Sequence, residues 1–331
     1  MSTTTMTSRG DLATVWAAVG RLLESADEQA LVFHRLEPFA RSPEVGRLGA
    51  AFALAASAHL ARARAAVDGP LLVVKGPELA ALYPEPSLRI ARDLDLVVPD
   101  PVAAQAALLA AGFVEAGDPE LYGRAPHELP LAWPGLPVEV EVHARPNWPP
   151  WLEAPPAAEL LDGAVPSASG VDGVLAPVPE KHLLVVAAHA WTHGPVQRLR
   201  DLLDVALLGT EADRAEAGCL AGAWGLGRLW RTTAAIADAL FLGEPEPRAL
   251  RGWARNLAEA RERTVLEQHT ARWRCWWDAL PPGLAARATF DELREDVTPE
   301  PGETWGSKVS RSSHAVRNAF VRRSEHDREV K

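Results

Sequence analysis

Cysteine is almost missing from the chain. Of 331 residues only Cys219 and Cys275 carry a thiol, and they show no CxxC spacing. Neither a disulfide scaffold nor a zinc knuckle is implied, and a reducing cytoplasm is the expected compartment. No apolar run reaches the roughly 18 residues of a membrane helix, so no membrane partner is expected. Positive charge is also scarce: 34 Lys and Arg against 44 Asp and Glu leave a net charge of −10. Binding of duplex DNA or long RNA depends on neutralising phosphates, so a nucleic-acid partner is not expected. Residues 1–10 are polar and Thr/Ser-rich with no apolar stretch, which predicts a disordered start and not a signal peptide. There is no G-x-x-x-x-G-K-[ST] loop. A protein-kinase reading of Val74-Lys75 and Arg92-Asp93-Leu94 fails, because only 17 positions separate Gly76 from Asp93 and no Asp-Phe-Gly follows.

What is there is enough for a real core: 47% of residues are hydrophobic and 24% charged, which predicts one or two domains. The informative stretch runs from Leu71 to His143. Leu71-Leu72-Val73-Val74-Lys75 follows the turn signal Asp68-Gly69-Pro70 and reads as a buried strand. Gly76 breaks it, and Pro77 suits the first position of a helix over Glu78 to Leu82. A strand, a glycine and a helix N-terminus together offer backbone N–H groups to a phosphate.

Asp93-Leu94-Asp95-Leu96-Val97-Val98 reads as a second strand. Alternation puts Asp93 and Asp95 on one face. Paired carboxylates repel unless a cation lies between them, and oxygen ligands suit Mg²⁺ or Mn²⁺. Two such ions about 3.5–4 Å apart can clamp the attacking and leaving oxygens of a phosphoryl displacement. The bland alternative is an edge strand kept soluble by its charges. Val138 to His143 reads as a third strand, hairpin-paired with Glu128 to Trp133 through Pro134-Gly135. It carries Glu139, Glu141 and His143 on one face. Alternation alone leaves Glu139 and Glu141 equal as a third carboxylate.

These residues resemble the DNA polymerase β-like nucleotidyltransferase superfamily, with its glycine turn, its Asp-x-Asp and its third acid on a later strand. More narrowly they resemble a bacterial group of nucleotidyltransferase family proteins. The shared marks are Lys75-Gly76, Leu82-Tyr83-Pro84, Arg89, Asp93-Leu94-Asp95-Leu96, Gly112-Phe113 and Glu141-Val142-His143. Pro77 stands where the superfamily has a serine. The resemblance implies an α+β fold, a nucleotidyltransferase-like mixed sheet with flanking helices plus a helical C-terminal domain. It implies Asp93, Asp95 and Glu141 as catalytic and metal-holding residues, and Lys75, Gly76 and Arg89 on the nucleotide. The activity implied is transfer of a nucleoside monophosphate from a nucleoside triphosphate, ATP foremost, to an acceptor hydroxyl. A non-catalytic binding subunit on the same fold is the alternative.

The rest of the chain is organised around that core. A helical layer packed on the sheet is expected over 11–68, the catalytic core over 69–150, a Pro-rich connector over 151–176 and a helical domain over 177–283. A loosely ordered basic tail is expected over 284–331. His127 reads as structural. His189 and His193 lie four apart on one helical face, but Ala190 replaces the glutamate of a His-Glu-x-x-His site. They are expected to form a polar face with Arg198, Arg200, Asp201 and Asp204, and the resemblance adds a contribution to the acceptor pocket. The tryptophans at helical spacing are expected in the core.

Overall fold

The computed structural model describes residues 12–40, 42–116, 129–192, 194–299 and 302–320. Seven strands form one mixed sheet in the order β3-β4-β5-β2-β1-β7-β6. They are β1 (Leu71–Val73), β2 (Asp93–Val97), β3 (Val114–Glu115), β4 (Leu131–Ala132), β5 (Glu139–His143), β6 (Val165–Pro166) and β7 (Val174–Ala176). Strand β2 lies between β5 and β1, so its aspartates do not sit on an edge and the solubility reading falls.

Alternation decides what each face meets. Leu71, Val73, Leu94, Leu96, Val140 and Val142 point to one side, where Phe52 and Leu60 of the helix Pro43–Ala66 and Leu108 of the helix Pro101–Ala110 cover them. Full burial of each such side chain is worth roughly 1.5–3 kcal/mol. On the other face Leu72, Val74 and Val97 pack against Leu160 and Val185. Val185 belongs to the helix Pro179–His189. The acidic side chains of β2 and β5 share this second face, so the helical part of the chain forms their roof.

Three expectations need correction. The N-terminal helices do not form one layer on the sheet. Val15, Ala18 and Val19 of the helix Leu12–Ser25 join the core built by the helices Leu199–Glu211 and Gly227–Phe241. Its apolar stripe needs a helical partner as wide as itself, and the sheet face is already covered by Pro43–Ala66. The Pro-rich stretch 151–176 is not merely a connector, since β7 pairs parallel to β1 and β6 pairs antiparallel to β7. The region after Gly283 is not loose up to residue 299. The helix Pro282–Val297 buries Ala285 and Ala288, and Asp296 meets Arg272 at 3.0 Å. The helix Trp305–Arg317 follows it. Residues 1–11 and 321–331 lie outside the described residues. No described helix is long and apolar enough to cross a membrane.

Trp230, Trp253 and Trp276 lie in the helical core as their spacing predicts, whereas Trp277 is exposed. Trp191 lies 5.6 Å from Trp253 and 5.7 Å from Trp276, and its Nε1–H donates to Thr233 Oγ1 at 2.8 Å. Two buried histidines tie this region to the rest. His182 Nε2 bonds to the Val74 carbonyl at 2.8 Å. His34 Nε2 bonds to the Arg261 carbonyl at 3.0 Å, and its Nδ1 accepts the Leu199 N–H at 3.2 Å. A proton on Nδ1 would break that last bond. Burial pushes both imidazoles down to about 4. Unfolded chains therefore take up protons below about pH 6.5 that the native protein refuses, so stability falls as pH drops from about 6.5 toward 4. The expected loss is on the order of 2–3 kcal/mol for each histidine. Urea unfolding at pH 7.0 and at pH 4.5 measures it, and His182→Gln should flatten the pH dependence. Equal stability of the native chain at both pH values would refute the assignment.

Candidate active site

The parallel register of β2 and β5 sets Asp93 beside Glu139, Asp95 beside Glu141 and Val97 beside His143. Four acidic side chains and an imidazole thus share one patch of sheet. Asp93, Glu139, Glu141 and His143 border a cavity of about 1000 Å³ that is also lined by Lys75, His189 and Asp201, and Asp95 lies buried behind them.

Asp95 is the buried centre, 2% exposed, whereas the Asp93 side chain is 48% exposed. Lys75 Nζ stands 2.7 Å from Asp95 Oδ2, 3.8 Å from Asp93 Oδ2 and 3.2 Å from His189 Nε2. Asn147 Nδ2 donates to Asp95 Oδ1 at 3.2 Å. His143 Nε2 lies 3.6 Å from Asp95 Oδ1 and 3.3 Å from Glu141 Oε2, yet it is buried without a hydrogen-bond partner.

The charges hold one another. Burial works against ionisation of Asp95, but Lys75 and then His143 hold its carboxyl far below the usual range. Burial also opposes the Lys75 charge, and Asp95 and Asp93 overcome it to raise the ammonium above its ordinary value. His143 loses by burial and gains more from Asp95 and Glu141, which push it up to about 9. Glu139 is raised by burial and by the like charges of Glu141 and Asp93. The face therefore carries more negative charge than Lys75 alone neutralises.

Lys75 reaches the acidic face against the strand's alternation, which would point it to the apolar side with Val73. The strand ends at Val73, and Gly76 turns the chain with φ +67°. A Cβ on Gly76 would come within 2.8 Å of Leu94 Cδ2, so only glycine fits there. The helix that follows is a single turn, Pro77–Ala80. Gly76 borders a separate groove of about 170 Å³, and the structure does not bring it into the cavity with the carboxylates.

Arg89 lines the cavity, but its guanidinium is taken. Its Nε and Nη2 donate to Asp204 Oδ2 at 3.2 and 2.9 Å, and Tyr83 Oη donates to Asp204 Oδ1 at 2.7 Å.

Among the described residues, the group able to converge on one cation is Asp95, Glu141 and His143, with ligand atoms within 4.8 Å of one another. This differs from the expected Asp93, Asp95 and Glu141 by exchanging Asp93 for His143. The signal was available, because alternation placed His143 on the acidic face. The partnership of Asp204 with Arg89 and Tyr83, and the role of Asn147, had no signal at this sequence distance. His189 reaches the site through Lys75. His127 and His193 lie outside the described residues.

A family model described as an uncharacterised nucleotidyltransferase matches residues 15–241, more than half of the chain. The chain belongs to this nucleotidyltransferase family. Comparison with curated proteins and with solved structures gave no match. Membership makes the protein a transferase, and the match takes in the sheet, the acidic face and the helices that roof it. It also extends over Leu12–Ser25 from Val15 onward, which agrees with that helix belonging to the same core as Gly227–Phe241.

Proposed function

We propose that this nucleotidyltransferase moves a nucleoside monophosphate from a nucleoside triphosphate, ATP foremost, to an acceptor hydroxyl with the help of Mg²⁺ or Mn²⁺. The observation that carries the reading is the convergence of Asp95, Glu141 and His143 at the wall of the cavity that exposed Asp93 lines. Asp95 Oδ1 and Glu141 Oε2 both close on His143 Nε2, and the surplus negative charge of the face fits a divalent cation. Asp95, Glu141 and His143 would hold it, with Asp93 at the exposed end for a second ligand position. Two carboxylates suit Mg²⁺, and an imidazole among them moves the preference toward Mn²⁺. Such an ion supplies charge neutralisation at the phosphoryl oxygens and lowers the pKa of a bound hydroxyl.

The chain's own groups do the rest. The acceptor oxygen bonds to the α-phosphorus, the bond from that phosphorus to the bridging oxygen breaks, and pyrophosphate leaves with the electron pair. The acceptor's proton passes to a carboxylate of the face. Glu141, the expected third carboxylate, lines the cavity to accept it, with Glu139 beside it on the same face. Lys75, which lines the cavity beside the carboxylates, is the proposed phosphate contact among the residues expected on the nucleotide. Gly76 turns the chain so that Lys75 reaches it, and Arg89 braces the wall. Free Cys219 and Cys275 accord with a reducing cytoplasm as the place of action.

The test is transfer of label from each α-labelled nucleoside triphosphate into an extract of the host, with Mg²⁺ or Mn²⁺, beside an Asp93→Asn control. Label on a discrete product that disappears in the control is the expected result. No transfer, together with no Mn²⁺-dependent binding of any nucleoside triphosphate to the purified chain, would sink the reading.

A further inference from the structure

We propose that Arg35, Arg92, Arg198 and Arg200 form a polyphosphate-binding subsite in the wall of the cavity that holds the carboxylates. The proposal rests on nucleotidyl transfer only for what occupies the subsite, not for its existence.

The four arginines come from three separate parts of the chain. Arg35 lies in the turn between the helix Glu28–Phe33 and the 3-10 turn Glu37–Ala40. Arg92 immediately precedes β2. Arg198 and Arg200 stand at the start of the helix Leu199–Glu211. All four line the cavity together with Asp93, Glu139 and Glu141. A chain with net charge −10 has carboxylates to spare, so a cluster of one positive sign is not forced by composition.

The backbone ties these parts together. Arg35, with φ +59°, closes the helix Glu28–Phe33, where the Leu36 N–H reaches the Leu31 carbonyl at 2.8 Å and the Arg35 N–H the Val32 carbonyl at 3.1 Å. The neighbouring His34 ring accepts the Leu199 N–H at 3.2 Å, and its carbonyl accepts the Arg200 N–H at 3.3 Å. The turn is thereby fixed to the segment that carries two of the other guanidinium groups.

The charges are left unmatched. Among the described residues no ion pair within 4.0 Å includes Arg35, Arg92 or Arg198, and Arg200 has only Asp201 Oδ1 at 3.7 Å. Arg200 Nη1 donates to the Ile90 carbonyl at 3.2 Å, while its buried Nε has no partner. Burial and then Arg198, Arg200 and Arg92 depress the Arg35 guanidinium to about 10, with Glu37 pulling the other way. Like charges brought together at a cost are the mark of a site that waits for the opposite charge. Planar guanidinium forks suit phosphate oxygens, and several forks suit a chain of phosphates better than a single carboxylate. A cation face and an anion face in one cavity can hold the two ends of one polyphosphate, or a donor and a phosphate-bearing acceptor.

Isothermal titration of the full chain with inorganic tripolyphosphate, in EDTA, tests the subsite without metal or transfer. Wild type should bind, and Arg35→Gln/Arg198→Gln should weaken binding at least tenfold. Arg287→Gln, which removes an exposed arginine, should leave it unchanged. Tripolyphosphate should raise the melting temperature of wild type and not that of the double variant. Without ligand the double variant should melt no lower than wild type, since its change relieves repulsion. Absence of wild-type binding, equal binding by the double variant, or equal weakening by Arg287→Gln would overturn the proposal. A repeat with ATP·Mg²⁺ at saturation assigns the source. Displacement of tripolyphosphate marks the subsite as the donor's, and simultaneous binding marks it as the place of a phosphate on the acceptor. Failure of label transfer with tripolyphosphate binding intact would count against the transferase reading alone.

Discussion

Asp95→Asn should abolish transfer and destabilise the fold together, whereas Asp93→Asn should abolish transfer alone. The two residues stand on one face of one strand, and the difference lies in their surroundings. Asp95 is 2% exposed and is the close partner of Lys75, whose side chain is 11% exposed. Removing its charge leaves Lys75 with Asp93 at 3.8 Å as its remaining carboxylate. Breaking a buried pair by removing one partner costs about 3–5 kcal/mol. Lys75 can shed part of that cost by losing its proton more easily, since a buried amine without a counter-charge has a depressed pKa. Asp93 is half-exposed, and a surface change of this kind stays within about 0.5 kcal/mol. Loss of either carboxylate should lower transfer at least ~10²-fold, as loss of one preorganised electrostatic group does. Urea unfolding and α-label transfer read both quantities. Lys75→Met/Asp95→Asn should recover stability without recovering transfer. If Asp95→Asn were as stable as wild type, or if Asp93→Asn kept its activity, the division of labour between the two aspartates would be wrong.

The sequence carried the acidic face well, because a central strand with a period of two leaves little choice. Asp93, Asp95, Glu139, Glu141 and His143 were all placed on their faces by alternation, and the register of β2 with β5 then put them side by side. What alternation could not supply was depth. It gave Asp93 and Asp95 equal standing, while the structure buries one and exposes the other because Lys75 bends over the first. Lys75 itself departs from alternation, and only the turn at Gly76 explains its position. β7 was hidden in a proline-rich stretch, since three residues flanked by glycine and proline carry too little periodicity to read as a strand. The helix Leu12–Ser25 was legible as a helix, but its partner was not, because an apolar stripe does not say whether it meets a sheet or another helix. The arginine cluster is the extreme case. Arg35, Arg92 and Arg198 have no common pattern in the chain, and only the fold brings them to one cavity.

Asp204→Ala should cost about 3–5 kcal/mol, while Arg89→Met/Asp204→Leu should cost less, about 1–3 kcal/mol. Arg89 and Asp204 are 6% and 2% exposed and lie 115 residues apart in the chain. The carboxylate receives Arg89 Nη2 at 2.9 Å and Tyr83 Oη at 2.7 Å. Burial opposes the Arg89 charge, and Asp204 more than restores it. Burial first, and then Asp204, raises the Tyr83 hydroxyl well above its ordinary value, so it stays a neutral donor. Tyr83 also meets Trp16 edge-on at 5.5 Å, so the cluster joins the N-terminal helix, the segment before β2 and the helix Leu199–Glu211. Removing Asp204 strands a buried guanidinium, and that penalty, not the value of the pair, sets the size of the loss. Replacing both partners by apolar groups of similar volume removes that penalty and leaves only the Tyr83 hydroxyl without its acceptor, at about 1–3 kcal/mol. A double-mutant cycle by urea unfolding measures the difference as a coupling energy. The same double variant decides the role of Arg89 toward the nucleotide. Because its guanidinium is engaged by Asp204, the double variant should bind ATP·Mn²⁺ within about threefold of wild type, a difference of less than 1 kcal/mol. A stable double variant that bound ATP·Mn²⁺ tenfold more weakly would return Arg89 to the phosphates and would show that Asp204 holds the arginine ready for them.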